Sequence, residues 1–368
     1  MGLLHEGVVV SVQRGVDDAL STEKEPQIQE PAPEPGTVDG VKNGTQLVKI
    51  AATWLLIFML AVAASIVTIA VVNTNDFGPE KSVANYLSAL KEGDGAKALG
   101  LLNAKVPAAN AAVLDGEALA SSQEAMTDLM IADAVDGPDE SKIVSVSYTL
   151  NKKAMSTDFK LTQGPQQWLF FNSWVMVPRT LPVINASVVN ANQAIINGVD
   201  VNMPEGKNSF AVLYPGSYEL EYRSPLFAAP PVTRTVSAPG EAIPAVGLAT
   251  GPTSDLLAQV GGAIGKYLDT CAEQAVLLPT GCPMSAGTNN RVLSPVEWSI
   301  VEYPAITITP YGGQWIIPPL SVKAQVQYQE QDLFTGLVSE VKEVEDFGFT
   351  AKLSITGTDV SVTPVVSY

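Results

Sequence analysis

The chain has 368 residues, with 21 Lys and Arg against 38 Asp and Glu, and a formal net charge of -17. This acidic balance excludes proteins that bind nucleic acids through a basic surface, so we expect no nucleic-acid partner. His5, near the N-terminus, is the only histidine. Serine and cysteine mechanisms that need a histidine base are therefore excluded from the rest of the chain.

A long apolar segment dominates the first fifth of the chain. Residues 50–72 are 23 consecutive residues without a charge. As a helix they would span roughly 35 Å, more than the hydrocarbon core of about 30 Å. A buried core helix seldom keeps every face apolar, and a signal peptide has a shorter leader than the 49 residues found here. The segment predicts a transmembrane helix that contacts the lipid bilayer.

The flanks of this segment predict its orientation. Lys42 and Lys49 precede it, whereas an uncharged or acidic stretch, residues 73–76, follows it. Because positive flanks stay on the cytoplasmic side, we expect residues 1–49 in the cytoplasm and the C-terminal part outside the cell. Residues 1–49 are acidic and contain the Pro/Glu-rich run EPQIQEPAPEPG. This composition predicts a disordered cytoplasmic tail.

The first predicted extracellular module covers residues 73–180. Pro79 suits a first helical turn, Gly93 a helix end, and apolar residues between them recur at helical spacing. Asp94 is a candidate N-cap for a second helix. The alternating segment IVSVSYTL and the apolar segment QQWLFFNSWVMV predict strands. The module is therefore predicted to be helices followed by an antiparallel sheet.

The second predicted module covers residues 181–240 and has no helical pattern. Asn197-Gly198 and Pro215-Gly216 are turn signals between short alternating strands. We expect a small antiparallel β-sandwich here.

The third predicted module covers residues 252–368. Ser254 is a candidate cap for a helix whose apolar residues share one face, and strands follow, among them residues 322–328 and 347–355. The fold class is thus α+β, with one transmembrane helix followed by extracellular modules. Two helix-on-antiparallel-sheet units flank the small β-sandwich.

Several segments resemble known families. INGVDV and FAVLYPGSYELEY, within residues 194–222, resemble β-modules of the PEGA type and of teicoplanin-resistance-associated membrane proteins. SVANYLSALKEGDGAKALGLL is similar to the opening helices of NTF2-like or cystatin-like domains in Gram-positive extracellular proteins. YLDTCAEQAVLLPTGCP resembles a helix and loop of uncharacterised actinobacterial single-pass membrane proteins. These resemblances imply architecture and compartment, and no activity.

The two cysteines of the chain, Cys271 and Cys282, lie close together in the third module. An even, closely spaced pair in an extracellular domain predicts a disulfide. A metal site is the alternative, but two further ligands are missing. We expect no metal and no other cofactor.

Aromatic residues give a candidate ligand pocket. Trp168, Phe170 and Trp174 lie within seven residues and are predicted to line the concave face of the first sheet, where a small apolar ligand or a peptide would bind. Core packing is the alternative interpretation, because small α+β modules need such bulk to fold.

Three further motifs have ordinary structural interpretations. GGAIGKY, residues 261–267, is one residue short of a phosphate loop and continues a helical pattern, so we expect no nucleotide. DAVDGPDE, residues 133–140, fails the calcium-loop pattern and is typical of a turn. The acidic residues 340–346 predict a solvated loop, or a strand edge that discourages pairing with other chains.

These observations predict a non-catalytic, membrane-anchored envelope protein whose extracellular modules bind or scaffold another surface component. The negative charge favours a protein partner over anionic wall polymers. A transmembrane sensor that signals through the N-terminal tail is the alternative. An envelope hydrolase is a third class, which would require a pair of carboxylates converging in a pocket. We expect no catalytic residues.

Overall fold

The computed structural model describes residues 42–75, 77–165 and 172–366, so most of the predicted tail lies outside the described residues. Helix α1, Lys42–Asn75, contains the predicted apolar segment. Its stretch Gln46–Asn73 is long and apolar enough to cross a membrane. The helix begins before residue 50, so it includes the last residues of the predicted tail, among which Leu47 and Val48 extend the apolar stretch.

The chain divides after Ala64 into two compact units, of which the second begins at Ser65. This second unit is α+β and consists mostly of strands. Its helices are α2 Pro79–Glu92, α3 Gly95–Leu102, α4 Gly116–Ser121 and α5 Ser254–Ala272.

The strands follow in chain order. Those before α5 are β1 Met126–Ile131, β2 Val135–Asp136, β3 Lys142–Leu150, β4 Lys153–Gln163, β5 Trp174–Met176, β6 Val183–Val188, β7 Gln193–Ile196, β8 Val199–Asn202, β9 Lys207–Ala211, β10 Gly216–Arg223, β11 Phe227–Val236, β12 Val246–Leu248 and β13 Gly251–Pro252. Those after α5 are β14 Arg291–Val292, β15 Glu297–Glu302, β16 Thr309–Tyr311, β17 Gln314–Ile316, β18 Leu320–Gln331, β19 Val338–Thr356 and β20 Asp359–Val365.

The local signals of the first module act as predicted. Helix α2 starts at Pro79 and ends at Gly93, whose φ of 72° is left-handed. A Cβ atom at Gly93 would lie 2.6 Å from the carbonyl oxygen of Gly116, so glycine also permits a close backbone approach there. The Asp94 carboxylate caps α3 by accepting a hydrogen bond from the Lys97 amide at 2.9 Å.

Within the described residues, the strands form four sheets and a two-stranded ribbon. The first sheet has the order β1-β3-β4-β5, with β2 beside β3. Two sheets follow, β13-β11-β10-β7-β8 and β12-β6-β9. The last sheet has the order β14-β18-β19-β20, with β15 also paired to β18, and β16 and β17 form a separate ribbon.

The middle region differs from the expected antiparallel sandwich in one pairing. Strand β12 runs parallel to β6, with Val246 opposite Ala186 and Leu248 opposite Val188. The guanidinium of Arg234 donates hydrogen bonds to the carbonyl oxygens of Pro244 and Ala245. These bonds hold the chain in place just before β12. The pairing of β12 with β6 joins residues that are distant in sequence, and no turn signal encodes it.

One apolar core runs through the modules predicted at 73–180 and 181–240. Tyr86 of α2 and Phe159 of β4 meet edge to face with centroids 5.6 Å apart, and Phe159 stacks on Tyr214 at 6.2 Å. The Tyr86 hydroxyl donates a hydrogen bond to the Tyr214 carbonyl oxygen. The first helices and the middle sheets therefore form one packing unit, with no boundary between cores at residue 180.

The C-terminal part is one helix packed on an antiparallel sheet, and the helix is capped by Thr253, whose hydroxyl accepts a hydrogen bond from the Leu256 amide, and not by the predicted Ser254. The apolar face of α5, which includes Val260 and Ile264, packs against Val322 of β18 and Phe349 of β19. Phe227 of the middle region joins this second core by stacking on Trp315 at 4.4 Å.

Buried tyrosines, among them Tyr86, Tyr214 and Tyr218, make the stability of this fold sensitive to alkaline pH. Burial raises the pKa of Tyr86 and of Tyr218 well above the usual range, and it raises the pKa of Tyr214 to about 12. The phenols ionise more easily in the unfolded chain, at about pH 10, so their contribution is complete below that pH. The free energy of unfolding should therefore fall as the pH rises from about 10 towards 12.

Tyr218→Phe should reduce this alkaline loss. It should also lower the free energy of unfolding at pH 8 by about 1 to 2 kcal/mol, because the Leu213 carbonyl oxygen loses the hydroxyl that donates to it at 2.7 Å. The measurement is denaturant unfolding of the full chain in detergent micelles between pH 8 and 12. Tyr311→Phe, at an exposed tyrosine, is the control, and equal alkaline slopes for all three proteins would contradict the assignment.

Candidate functional site

The predicted disulfide is present between Cys271, at the end of α5, and Cys282, in the loop beyond it. Both residues are buried and pack with Met284 and Trp298. The Trp298 indole N–H donates to the Val276 carbonyl oxygen at 2.8 Å, which ties the loop to the sheet. The disulfide therefore fixes the loop that contains Cys282 onto the end of α5.

Of the three predicted pocket residues, Trp168 and Phe170 lie outside the described residues. Trp174 is in β5, opposite Gln163, and its half-buried side chain packs against the first core. Ser82 of α2 donates a hydrogen bond to the Trp174 carbonyl oxygen at 3.1 Å. Trp174 thus contributes to packing, and the predicted ligand pocket stays a prediction.

The GGAIGKY motif lies inside α5, as its helical pattern predicts. A Cβ atom at Gly261 would lie 3.7 Å from Ile306, and one at Gly265 would lie 3.9 Å from the Tyr303 ring. An added methyl group at either position would make an ordinary van der Waals contact, so close packing does not require glycine there.

The acidic run at 133–140 forms a turn with exposed ion pairs. Asp136 pairs with Lys142 at 2.6 Å, and Asp139 pairs with Lys160 at 3.4 Å. Asp139 and Glu140 have left-handed φ values of 58° and 54°. Among the described residues, no group of three or more His, Cys, Asp or Glu is placed to hold a metal ion.

A cleft of about 990 Å³ lies over the outer face of the β12-β6-β9 sheet. Neutral polar side chains such as Asn185 and Ser209 line it, together with Lys207. The Ser209 hydroxyl donates to Asn185 Oδ1 at 2.7 Å, so these groups already bond to each other. The cleft is an open surface of mixed polar and apolar character, with Lys207 as the charged side chain among its lining residues.

A smaller cleft, of about 350 Å³, brings together Glu117, Glu124 and Glu219. Its amide residue Asn197 donates to the carbonyl oxygens of Ala118 and Ser217 and accepts from the Glu219 amide at 2.7 Å. These bonds hold α4 and the β7–β8 turn against β10. The side-chain amide of Asn197 therefore has a structural role in this cleft.

The most prominent surface feature is the hairpin of β18 and β19. The two strands pair without interruption from Leu320 opposite Phe349 to Gln331 opposite Val338. The Asp332 carboxylate accepts hydrogen bonds from the amides of Phe334 and Thr335 at 2.9 and 2.7 Å, and these bonds lower its pKa. The turn is thus held in one conformation by its own polar groups.

This turn presents apolar side chains to solvent. We call Leu333–Val338 the hairpin tip. Phe334 is 99% exposed, Leu337 71%, Leu333 65% and Val338 56%. Sequence reasoning overlooked this feature, although Asp332 followed by apolar residues around a glycine is a detectable hairpin signal.

Next to the hairpin tip, β19 has an unpaired edge. Strand β20 pairs only with residues 350–356 of β19. Among the described residues, β18 is the one strand that pairs with the preceding part, residues 338–349. We call Val338–Asp346 the acidic edge, because it carries the exposed side chains of Glu340, Glu343, Glu345 and Asp346. The predicted strand edge at 340–346 is therefore present.

Comparisons with protein-family profiles, with curated proteins and with solved structures found no match.

Removing the disulfide should destabilise the C-terminal part. Cys271→Ser combined with Cys282→Ser should lower the free energy of unfolding by about 2 to 3 kcal/mol, the chain-entropy scale for a loop this short. Denaturant unfolding of the full chain in micelles measures the change. The unsubstituted chain, unfolded with and without a reducing agent, is the control, and free thiols in its non-reduced form would contradict the pairing.

Proposed function

We propose that this chain is a non-catalytic, membrane-anchored envelope protein whose extracellular part binds or scaffolds another surface protein. The observation that carries the proposal is the hairpin tip, with its four large apolar side chains in contact with solvent. Single exposed apolar residues are common on protein surfaces, whereas a contiguous group marks an interaction site.

The tip has the properties of a preformed binding element. Burying one such side chain in a partner is worth roughly 1.5 to 3 kcal/mol. Because the Asp332 hydrogen bonds already hold the turn, little conformational entropy is lost when a partner binds. An exposed phenylalanine at the end of a rigid hairpin is well suited to fill a pocket on another protein.

Helix α1 supports the membrane anchor. It is long and apolar enough to span the bilayer, and its apolar side chains are exposed. With Lys42 and Lys49 on its N-terminal side, we assign the N-terminus to the cytoplasm and the folded part to the cell exterior. The disulfide agrees with an oxidising compartment. We assign NTF2-like or cystatin-like architecture to the two helix-on-sheet units.

The topology is testable on intact cells. Protease added from outside should digest the chain beyond Val72, while an epitope tag placed before residue 42 should survive, because the bilayer protects the cytoplasmic side. Immunoblotting with and without detergent measures both. Loss of the tag in intact cells, or protection of the C-terminal part, would contradict the orientation.

The binding role of the tip is testable by site-specific crosslinking. A photoreactive benzophenone amino acid at position 334 of the full chain in native membranes should form a discrete protein adduct. The same group at position 311, on the exposed tip of the β16–β17 ribbon, should not, because Tyr311 lies outside the proposed site. The position of adducts on a denaturing gel is the measurement.

The second part of this test reduces the apolar surface. Leu337→Ser should lower the yield of the adduct at least tenfold while the free energy of unfolding changes by less than about 0.5 kcal/mol, because the side chain is exposed. Absence of a protein adduct at position 334, or identical adducts at both positions, would refute the proposed function.

A further inference from the structure

We infer that the acidic edge of β19 receives an extended segment of the protein partner that carries lysine or arginine side chains and pairs as an additional strand. This inference rests on the proposed function, since the hairpin tip supplies the apolar anchor beside the edge. The acidic edge begins at Val338, where the tip ends, so the two surfaces are continuous.

The backbone of the acidic edge is arranged for strand addition. The Asp332 amide donates to the Leu337 carbonyl oxygen at 2.9 Å. In an antiparallel pair, alternate residues bond to the partner strand, so Leu337 and every second residue after it on β19 face β18. With the uninterrupted register, the amides and carbonyls of the even-numbered residues from 340 to 346 point away from β18. Such a row of unpaired groups is the template that β-strand addition uses.

The side chains of the acidic edge select the charge of the incoming strand. Glu343 and Glu345 lie opposite Val326 and Ala324 and so share one face of the sheet, while Glu340 lies on the other. The Glu340 carboxylate accepts a hydrogen bond from Gln327 Nε2 at 2.7 Å, which holds it beside the edge. Lys342 is exposed on the face of Glu340, so basic residues of a partner strand would meet opposite charges mainly on the face of Glu343 and Glu345.

The same charges disfavour the other occupants of this surface. A second copy of this chain, paired edge to edge, would place carboxylates beside carboxylates. An anionic membrane surface would repel the acidic residues that flank the tip, Glu330, Asp332 and Glu340. A basic protein segment is therefore the occupant that fits both the charge and the free backbone.

The test uses a nine-residue peptide of alternating lysine and threonine and the full chain in neutral detergent micelles. The peptide should bind and should slow hydrogen exchange of the amides at even-numbered positions from 340 to 346. A peptide with glutamate in place of lysine should bind at least tenfold more weakly. A lysine peptide that is N-methylated at alternate residues should also bind at least tenfold more weakly, because it cannot form the ladder.

Charge reversal in the protein separates the edge from general attraction to an acidic chain. Glu343→Lys combined with Glu345→Lys should weaken binding of the lysine peptide at least tenfold. Glu117→Lys combined with Glu124→Lys, in the smaller acidic cleft, makes the same change in net charge and should leave the affinity within about twofold.

Several outcomes would overturn the inference. These are equal binding of the N-methylated peptide, equal effects of the two charge-reversed proteins, and an absence of peptide binding. Self-association in sedimentation that Glu343→Lys changes would assign the edge to a second copy. Binding of phosphatidylglycerol vesicles that Phe334→Ser abolishes would assign the tip to a membrane. If the adduct at position 334 persists while the peptide fails to bind, the inference fails and the proposed function stands.

Discussion

The fold of residues 65–368 depends on apolar burial that crosses from one set of elements to the next. Tyr86, Phe159 and Tyr214 join α2, the first sheet and the middle region, and the Tyr86 hydroxyl satisfies a buried carbonyl at the same contact. Because a buried carbonyl without a partner is costly, this contact favours one arrangement of the two regions over others. The stacking of Phe227 on Trp315 extends the connection to the C-terminal part.

The base of the β18–β19 hairpin is held by packing against the core, whereas its tip lies outside the core. The inner residues of β18, from Leu320 to Tyr328, are buried under α5 and the disulfide loop. Beyond them β14 pairs with the last two residues of β18, and the turn that follows is stabilised by Asp332 and not by a core. The proposed binding role depends on these two features, a packed base and an exposed apolar tip.

The acidic residues of β19 bear both on unwanted strand pairing and on the inferred partner. Exposed strand edges promote unwanted pairing, and charged side chains limit it. In the inferred interaction, the carboxylates of this edge would disfavour pairing with a further copy of the chain and favour pairing with a basic strand.

The sequence by itself determined the elements that depend on local chemistry. Uninterrupted apolarity predicts the helix of residues 50–72, and apolar periodicity predicts α2 and the helix around GGAIGKY. Capping chemistry predicts the role of Asp94. The disulfide also followed, because the chain offers one pair of cysteines.

Only the tertiary structure decided the features that depend on long-range pairing. The strand predicted at 347–355 extends back to Val338, because β18 supplies a partner for acidic residues that have low intrinsic strand preference. The parallel pairing of β12 with β6 and the core shared across residue 180 likewise depend on contacts between distant residues. The candidate site belongs to this class, since neither the free edge of β19 nor the exposure of Phe334 exists until the neighbouring strands are in place.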